Sequence, residues 1–294
     1  MTFLSTEEYL ARPMPEESWI IENLIPHGGT VLLYGKPKTG KSLLALGLAS
    51  AIADGEDYFL MKEFKINTRG RIMFLQLDTA PAIWLKYIKE SLRPYKNFSW
   101  SDVIQIPNPP FNINHPAHQE YLHNQMQEQQ PLILIIDSLR EIHPGDENDS
   151  SVMTKVMQRL KAAVGPNVTI ILIAHARKTG QMESPDLIEG SRGSSAITGS
   201  VDVLMRLNGT TPERKILDYA GRTRVVASGI KLWQDEDTGM IYRGSQLERQ
   251  IKEIHITHPG ALNTAQLTKV CHENGIKASV STLRRIIGEM GLYA

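Results

Sequence analysis

The chain has 294 residues, of which 41% are hydrophobic and 22% charged, a composition that sustains a sizeable buried core and excludes disorder. Its 32 basic groups balance its 32 acidic ones, which excludes a global pull towards nucleic acid or anionic lipid and leaves only local polyanion sites. A single cysteine, Cys271, rules out an internal disulfide. No apolar run approaches the roughly 20 residues a bilayer demands, and the acidic N-terminal segment lacks a secretory pattern. A cytoplasmic protein without a membrane partner is therefore expected.

Taken in chain order, the first regular element is Thr30 to Tyr34, a short β-favouring run that ends at glycine. Residues 41 to 53 follow with apolar side chains at helical spacing. Arg71 to Leu77, Val103 to Ile106, Leu132 to Ile136 and Thr169 to Ala174 read as further buried strands. Helical stretches separate them, around residues 81 to 93, 116 to 129 and 151 to 164. Continuous apolar strands that alternate with helices indicate an α/β fold with a mostly parallel sheet flanked by helices, because each parallel crossover needs a helix to bring the chain back. Beyond Ala174 the texture changes. Residues 178 to 198 are rich in Gly and Ser, and then Asp202 to Leu207, Val225 to Trp233 and Gly239 to Arg243 read as strands, the last two joined by a turn at 235 to 239. Residues 245 to 294 are helical in pattern, with Ser245 to Thr257, Thr264 to Asn274 capped by Asn263, and Ser279 to Met290 after a turn at Gly275.

Gly35-Lys36-Pro37-Lys38-Thr39-Gly40-Lys41-Ser42 matches G-x-x-x-x-G-K-[ST] between a strand and a helix. Glycines let the backbone curl so that its amides face phosphates, and the helix start adds partial positive charge. ATP is the expected ligand, held by residues 35 to 42 with Leu43 beside them. Lys41 is placed for the β- and γ-phosphates, and the Ser42 hydroxyl for Mg²⁺. Behind such a loop an apolar strand ending in Asp is expected to hold the metal's water shell, and Leu132 to Ile136 leads into Asp137 at the right kind of position. Taken alone, Asp137 fits a helix cap equally well; the loop upstream favours the metal.

These pieces resemble the RecA/DnaB-like ATPases, and within them the small RepA-type replicative helicases of plasmids and phages. The resemblance runs from Trp19-Ile20-Ile21-Glu22-Asn23-Leu24-Ile25-Pro26 to about residue 243. It is carried further by Ile173-Ala174-His175-Ala176-Arg177-Lys178 and Gly190-Ser191-Arg192-Gly193-Ser194-Ser195-Ala196. What it implies is a RecA-like core over residues 28 to 244, preceded by a lead-in over 1 to 27. His175 would sense the γ-phosphate, the alternative being a histidine that satisfies backbone groups at a strand end. Asp78, in Phe74-Leu75-Gln76-Leu77-Asp78-Thr79-Ala80-Pro81, stands where the family usually has a catalytic glutamate. Its other reading is a cap for the helix that starts near Pro81. Arg222 and Arg224 resemble the basic pair that a neighbouring subunit supplies to the nucleotide, with solvated surface arginines as the alternative.

A homo-oligomer, in this family a hexameric ring, and single-stranded DNA are the implied partners, with a replication protein as a further one. Of the two loops that would face the nucleic acid, His143 to Ser151 is acidic, whereas Lys178 to Gly199 offers Lys178 and Arg192. The segment from 245 to 294 resembles a winged-helix or helix-turn-helix module, with Arg284 and Arg285 on its presumed recognition helix; the chain stops too soon after it for a full wing. Three functions are compatible with this set: a hexameric replicative helicase, a recombinase-like or loader ATPase that does not unwind, and an ATP-gated regulatory DNA-binding protein.

Overall fold

The computed structural model describes residues 4–11, 19–91, 103–106, 111–176, 187, 195–212, 214–221, 229–236, 238–257 and 263–289. In chain order its elements are α1 (Thr6–Leu10), β1 (Trp19–Ile21), β2 (Ile25–Pro26), β3 (Thr30–Gly35), α2 (Lys41–Asp54), β4 (Ile72–Gln76), α3 (Pro81–Ser91), β5 (Val103–Ile106), α4 (Pro116–Gln129) and β6 (Ile133–Asp137). After a 3₁₀ turn at Leu139–Ile142 come α5 (Ser150–Val164), β7 (Thr169–His175), α6 (Ser195–Ser200), β8 (Val203–Thr211), β9 (Arg214–Gly221), β10 (Ile230–Gln234), β11 (Ile241–Arg243), α7 (Gln246–Thr257), α8 (Thr264–Glu273) and α9 (Val280–Glu289).

Nine strands form one sheet in the order β11-β10-β9-β8-β3-β7-β6-β4-β5. From β8 to β5 every neighbouring pair is parallel, and β9, β10 and β11 extend the sheet antiparallel. Alternation along the strands sends side chains to opposite faces. Val31, Leu33, Ile133 and Ile135 pack with α2 and α3; Leu32, Tyr34, Leu134 and Ile136 pack with α4 and α5. Both faces are thus covered, which is why the strands read as unbroken apolar runs. Burying each such side chain contributes roughly 1.5–3 kcal/mol.

Two parts of the sheet depart from the sequence reading. No strand was expected over Arg214–Gly221, yet β9 lies there; its alternation of exposed Arg214 and Ile216 with buried Lys215 and Leu217 is half-polar, because a charged residue occupies an inward position. The strand expected from Val225 begins in the described residues only at Ile230. The joining turn is as expected, closed by Asp235 N–H to Met240 O and Gly239 N–H to Asp235 O, both at 2.8 Å. In the Gly- and Ser-rich stretch, Ser195–Ser200 is helical. The hairpin β1–β2 was also not foreseen, because its strands are two and three residues long; Ile20, Ile21, Leu24 and Ile25 are nonetheless fully buried in the α2 face of the core.

Helices α7, α8 and α9 surround a separate apolar cluster of Ile251, Leu267, Cys271, Ile276, Leu283, Ile286 and Ile287. Asn263 caps α8 in a capping box with Gln266. Arg249 of α7 ties this helical set to the sheet edge: its guanidinium lies 4.7 Å from the Tyr242 ring and 5.5 Å from that of Trp233, and it pairs with Asp235 at 3.5 Å. Among the described residues no helix is long and apolar enough to cross a membrane.

Candidate nucleotide site at the carboxyl edge of the sheet

In an open parallel sheet the loops that follow the strands gather at one edge, where ligands bind. Here the register aligns the expected residues along that edge. Gly35 of β3 stands opposite His175 of β7, Asp137 of β6 opposite Ile173 of β7, and Gln76 of β4 opposite Asp137.

The glycine loop runs from the end of β3 into α2. A side chain at Gly35 would come within 2.2 Å of the Leu207 carbonyl, and Gly40 has φ of +96°, so both positions require glycine. Lys41 folds back over the loop: its Nζ donates to Gly35 O at 3.1 Å and Lys36 O at 2.9 Å, and the residue is only 6% exposed. Burial depresses its pKa to about 8, although the charges of Asp137 and Asp78 act in the opposite direction. The Thr39 hydroxyl donates to Lys36 O at 2.9 Å, which closes the curl.

Asp137 is 1% exposed. Burial raises its pKa; hydrogen bonds from Ser42 and Gln76 oppose that rise, Asp78 adds to it, and Lys41 counters it. The hydrogen bond places Ser42, at the start of α2, beside the end of β6. Gln76 donates through Nε2 to Asp137 Oδ2 at 2.6 Å, while its Oε1 accepts from the backbone N–H groups of Asp78 and Thr79 at 2.8 and 3.0 Å. The turn after β4 is fixed by the same side chain that steadies Asp137. Gln76 is missing from the sequence reading, and its signal was its polarity inside the otherwise apolar run Ile72 to Leu77.

Asp78 is an exposed residue whose charge acts on both Lys41 and Asp137, while the first turn of α3 closes on Ala80 O, which accepts from Ile83 and Trp84 at 3.0 Å. Next to Asp137, Ser138 Oγ is buried without a partner among the described residues, a polar atom that a bound group or its water would satisfy. Two oxygen donors, Asp137 and Ser42, suit Mg²⁺, which keeps several of its own waters and takes few protein ligands. The donor set and the amide-lined loop therefore fit magnesium and a triphosphate.

Other expected residues are more scattered. The acidic loop after β6 spends its charges locally: Asp149 caps α5 by accepting from Ser151 and Val152, and Asp146 accepts from Asn148. Arg284 and Arg285 are exposed on α9, opposite the face that buries Leu283, Ile286 and Ile287. Lys178, Arg192, Arg222 and Arg224 lie outside the described residues.

The family described as an AAA domain matches residues 1–181. Among curated proteins, the DNA repair protein RadA of Bacillus subtilis (strain 168) is 22% identical over 190 residues, which is 63% of this chain and 36% of RadA, so the chain spans about a third of that relative. Two solved structures share the fold at 14% identity and a TM-score of 0.56 over 74% of this chain. One is the ATPase domain of G40P, covered to 85%, and the other a DnaB-like replicative helicase whose interactions with primase were determined, covered to 59%. With the glycine loop, the buried Asp137 and the sheet order already described, these matches lead to one assignment: the chain belongs to the AAA-domain family and is a P-loop ATPase of RecA/DnaB-like fold.

Proposed function

We propose that the protein is a nucleic-acid-stimulated ATPase motor, a RepA-type replicative DNA helicase that works as a homohexameric ring, with residues 28 to 244 as its motor and residues 245 to 294 as a small winged-helix-like module. The observation that carries this reading is the convergence of Lys41, Ser42 and Asp137 at the carboxyl edge of the sheet, with Asp78 close enough for its charge to act on Lys41 and Asp137. ATP occupies residues 35 to 43, with the loop amides and Lys41 on its phosphates, and Ser42 and Asp137 hold Mg²⁺, which neutralises phosphate charge when bound. Asp78 orients the attacking water, and His175, one strand from the loop, senses the γ-phosphate. Arg222 and Arg224 of a neighbouring copy complete the site. Lys178 and Arg192 contact the single strand within the ring, and Arg284 and Arg285 contact nucleic acid from the helical module. Similarity to the ATPase domains of DnaB-like helicases supports this assignment.

A second reading, a recombinase-like or loader ATPase that does not unwind, is favoured by the likeness to RadA. ATP turnover with and without single-stranded DNA, together with strand separation on a forked duplex, decides between them. Unwinding supports the helicase. Stimulation without unwinding selects the second reading, and indifference to DNA contradicts both in favour of an ATP-gated regulator.

A further inference from the structure

The antiparallel extension of the sheet brings an unforeseen cation beneath the glycine loop. Lys215 of β9 is 3% exposed, shares the inward face of its strand with Leu217 and Tyr219, and donates from Nζ to the Thr39 carbonyl at 2.8 Å. That carbonyl belongs to the peptide joining Thr39 to Gly40, at the point where the loop becomes helix. A side chain placed on Gly40 would lie 3.8 Å from Lys215 Nζ and 3.1 Å from Ile241 Cδ1, so this side of the loop is closed off by β9 and β11.

A trans peptide is planar, with its C=O and N–H pointing in opposite directions. Fixing Thr39 O towards Lys215 therefore aims the Gly40 N–H away from β9, out of the closed side of the loop. Gly40 has φ of +96°, in the left-handed region where glycine's lack of a side chain leaves its peptides loosely constrained, so an external anchor matters most at this residue. We propose that Lys215 is a positioning residue for phosphate binding: from behind the loop it sets the orientation of the Thr39–Gly40 peptide and so presents the Gly40 amide to the polyphosphate. Lys41 acts from the ligand side, where it reaches over the loop; Lys215 acts through the backbone and touches no phosphate. The inference rests on the reading of residues 35 to 42 as the phosphate cradle.

Calorimetric titration of Mg-ATP, and separately of inorganic tripolyphosphate with Mg²⁺, into the wild type, Lys215→Met and Lys215→Arg tests it. Loss of an anchoring hydrogen bond from a charged group is expected to weaken both ligands by about tenfold or more in Lys215→Met. Lys215→Arg, which keeps a cationic donor, restores most of that affinity. The Gly40 amide resonance in the nucleotide-bound protein should move in Lys215→Met and return towards its wild-type position in Lys215→Arg. Should Lys215→Met fail to fold, Lys215→Gln, whose shorter side chain does not reach Thr39, takes its place with the same expectation. Wild-type affinity in the neutral variant, or a loss confined to ATP with tripolyphosphate unaffected, overturns the positioning role. Absence of binding by the wild type itself overturns the phosphate-cradle reading instead.

Discussion

Gln76 Nε2 donates to Asp137 Oδ2 across 2.6 Å, between adjoining strands β4 and β6 and out of contact with bulk water. The bond favours the ionised carboxylate against the burial that disfavours it. A neutral amide achieves this without adding charge, and its oxygen holds the Asp78 turn at the same time. Gln76→Leu removes both functions. Hydrogen bonds to charged groups are worth about 1.5–3 kcal/mol, so ATP turnover should fall by about tenfold or more. The sign of the accompanying pH effect follows from the same bond: its loss raises the Asp137 pKa further, so the acid limb of the turnover profile moves to higher pH. An unmoved limb would remove Gln76 from this role.

Burial depresses the Lys41 pKa to about 8, outweighing the nearby charges of Asp137 and Asp78, which act to raise it. A bound triphosphate favours the ammonium form, so the pKa rises on binding and a proton is taken up where the free side chain is neutral. ATP affinity is therefore expected to be greatest and flat below pH 8 and to weaken as pH rises above it, approaching tenfold per pH unit. Titration calorimetry in buffers of differing ionisation enthalpy checks the proton uptake, and affinity that does not change between pH 7 and pH 9 would contradict it.

For Asp78 the expectation separates binding from turnover. Asp78→Asn keeps shape and polarity but loses the negative charge to which the proposed mechanism assigns the orienting of water. Turnover should drop by about 10²-fold or more while ATP affinity stays within a few-fold of wild type. Equal loss in both would make Asp78 a binding residue.

In the helical set, Asn263 satisfies the start of α8 through a capping box. Asn263→Ala is expected to destabilise that helix by about 1 kcal/mol, visible as a lower midpoint for the loss of α7–α9 in thermal unfolding. ATP affinity should not change, because these helices supply none of the groups at the glycine loop.

The sequence was most legible where backbone demands are strict. Gly35 and Gly40 show themselves because no other residue fits, and β3, β6 and β7 because strands covered on both faces leave no room for polar side chains. Asn263 was legible as a cap for the same reason: exposed helix amides need a nearby side-chain acceptor. Legibility failed where polar groups are buried in pairs. Gln76 and Lys215 look like interruptions of an apolar pattern until their partners, Asp137 and Thr39 O, are known to stand opposite, and those partners lie 61 and 176 residues away. Strand β9 was missed with Lys215 because an inward lysine erases the alternation that marks a half-buried strand.

Steady-state ATP hydrolysis by the wild type and Lys41→Ala, each with and without single-stranded DNA, tests the motor assignment most directly. Mg-dependent turnover that DNA raises in the wild type, and that Lys41→Ala abolishes, is the predicted result. Undiminished hydrolysis in Lys41→Ala, or a wild type that turns over no ATP under any of these conditions, would contradict it.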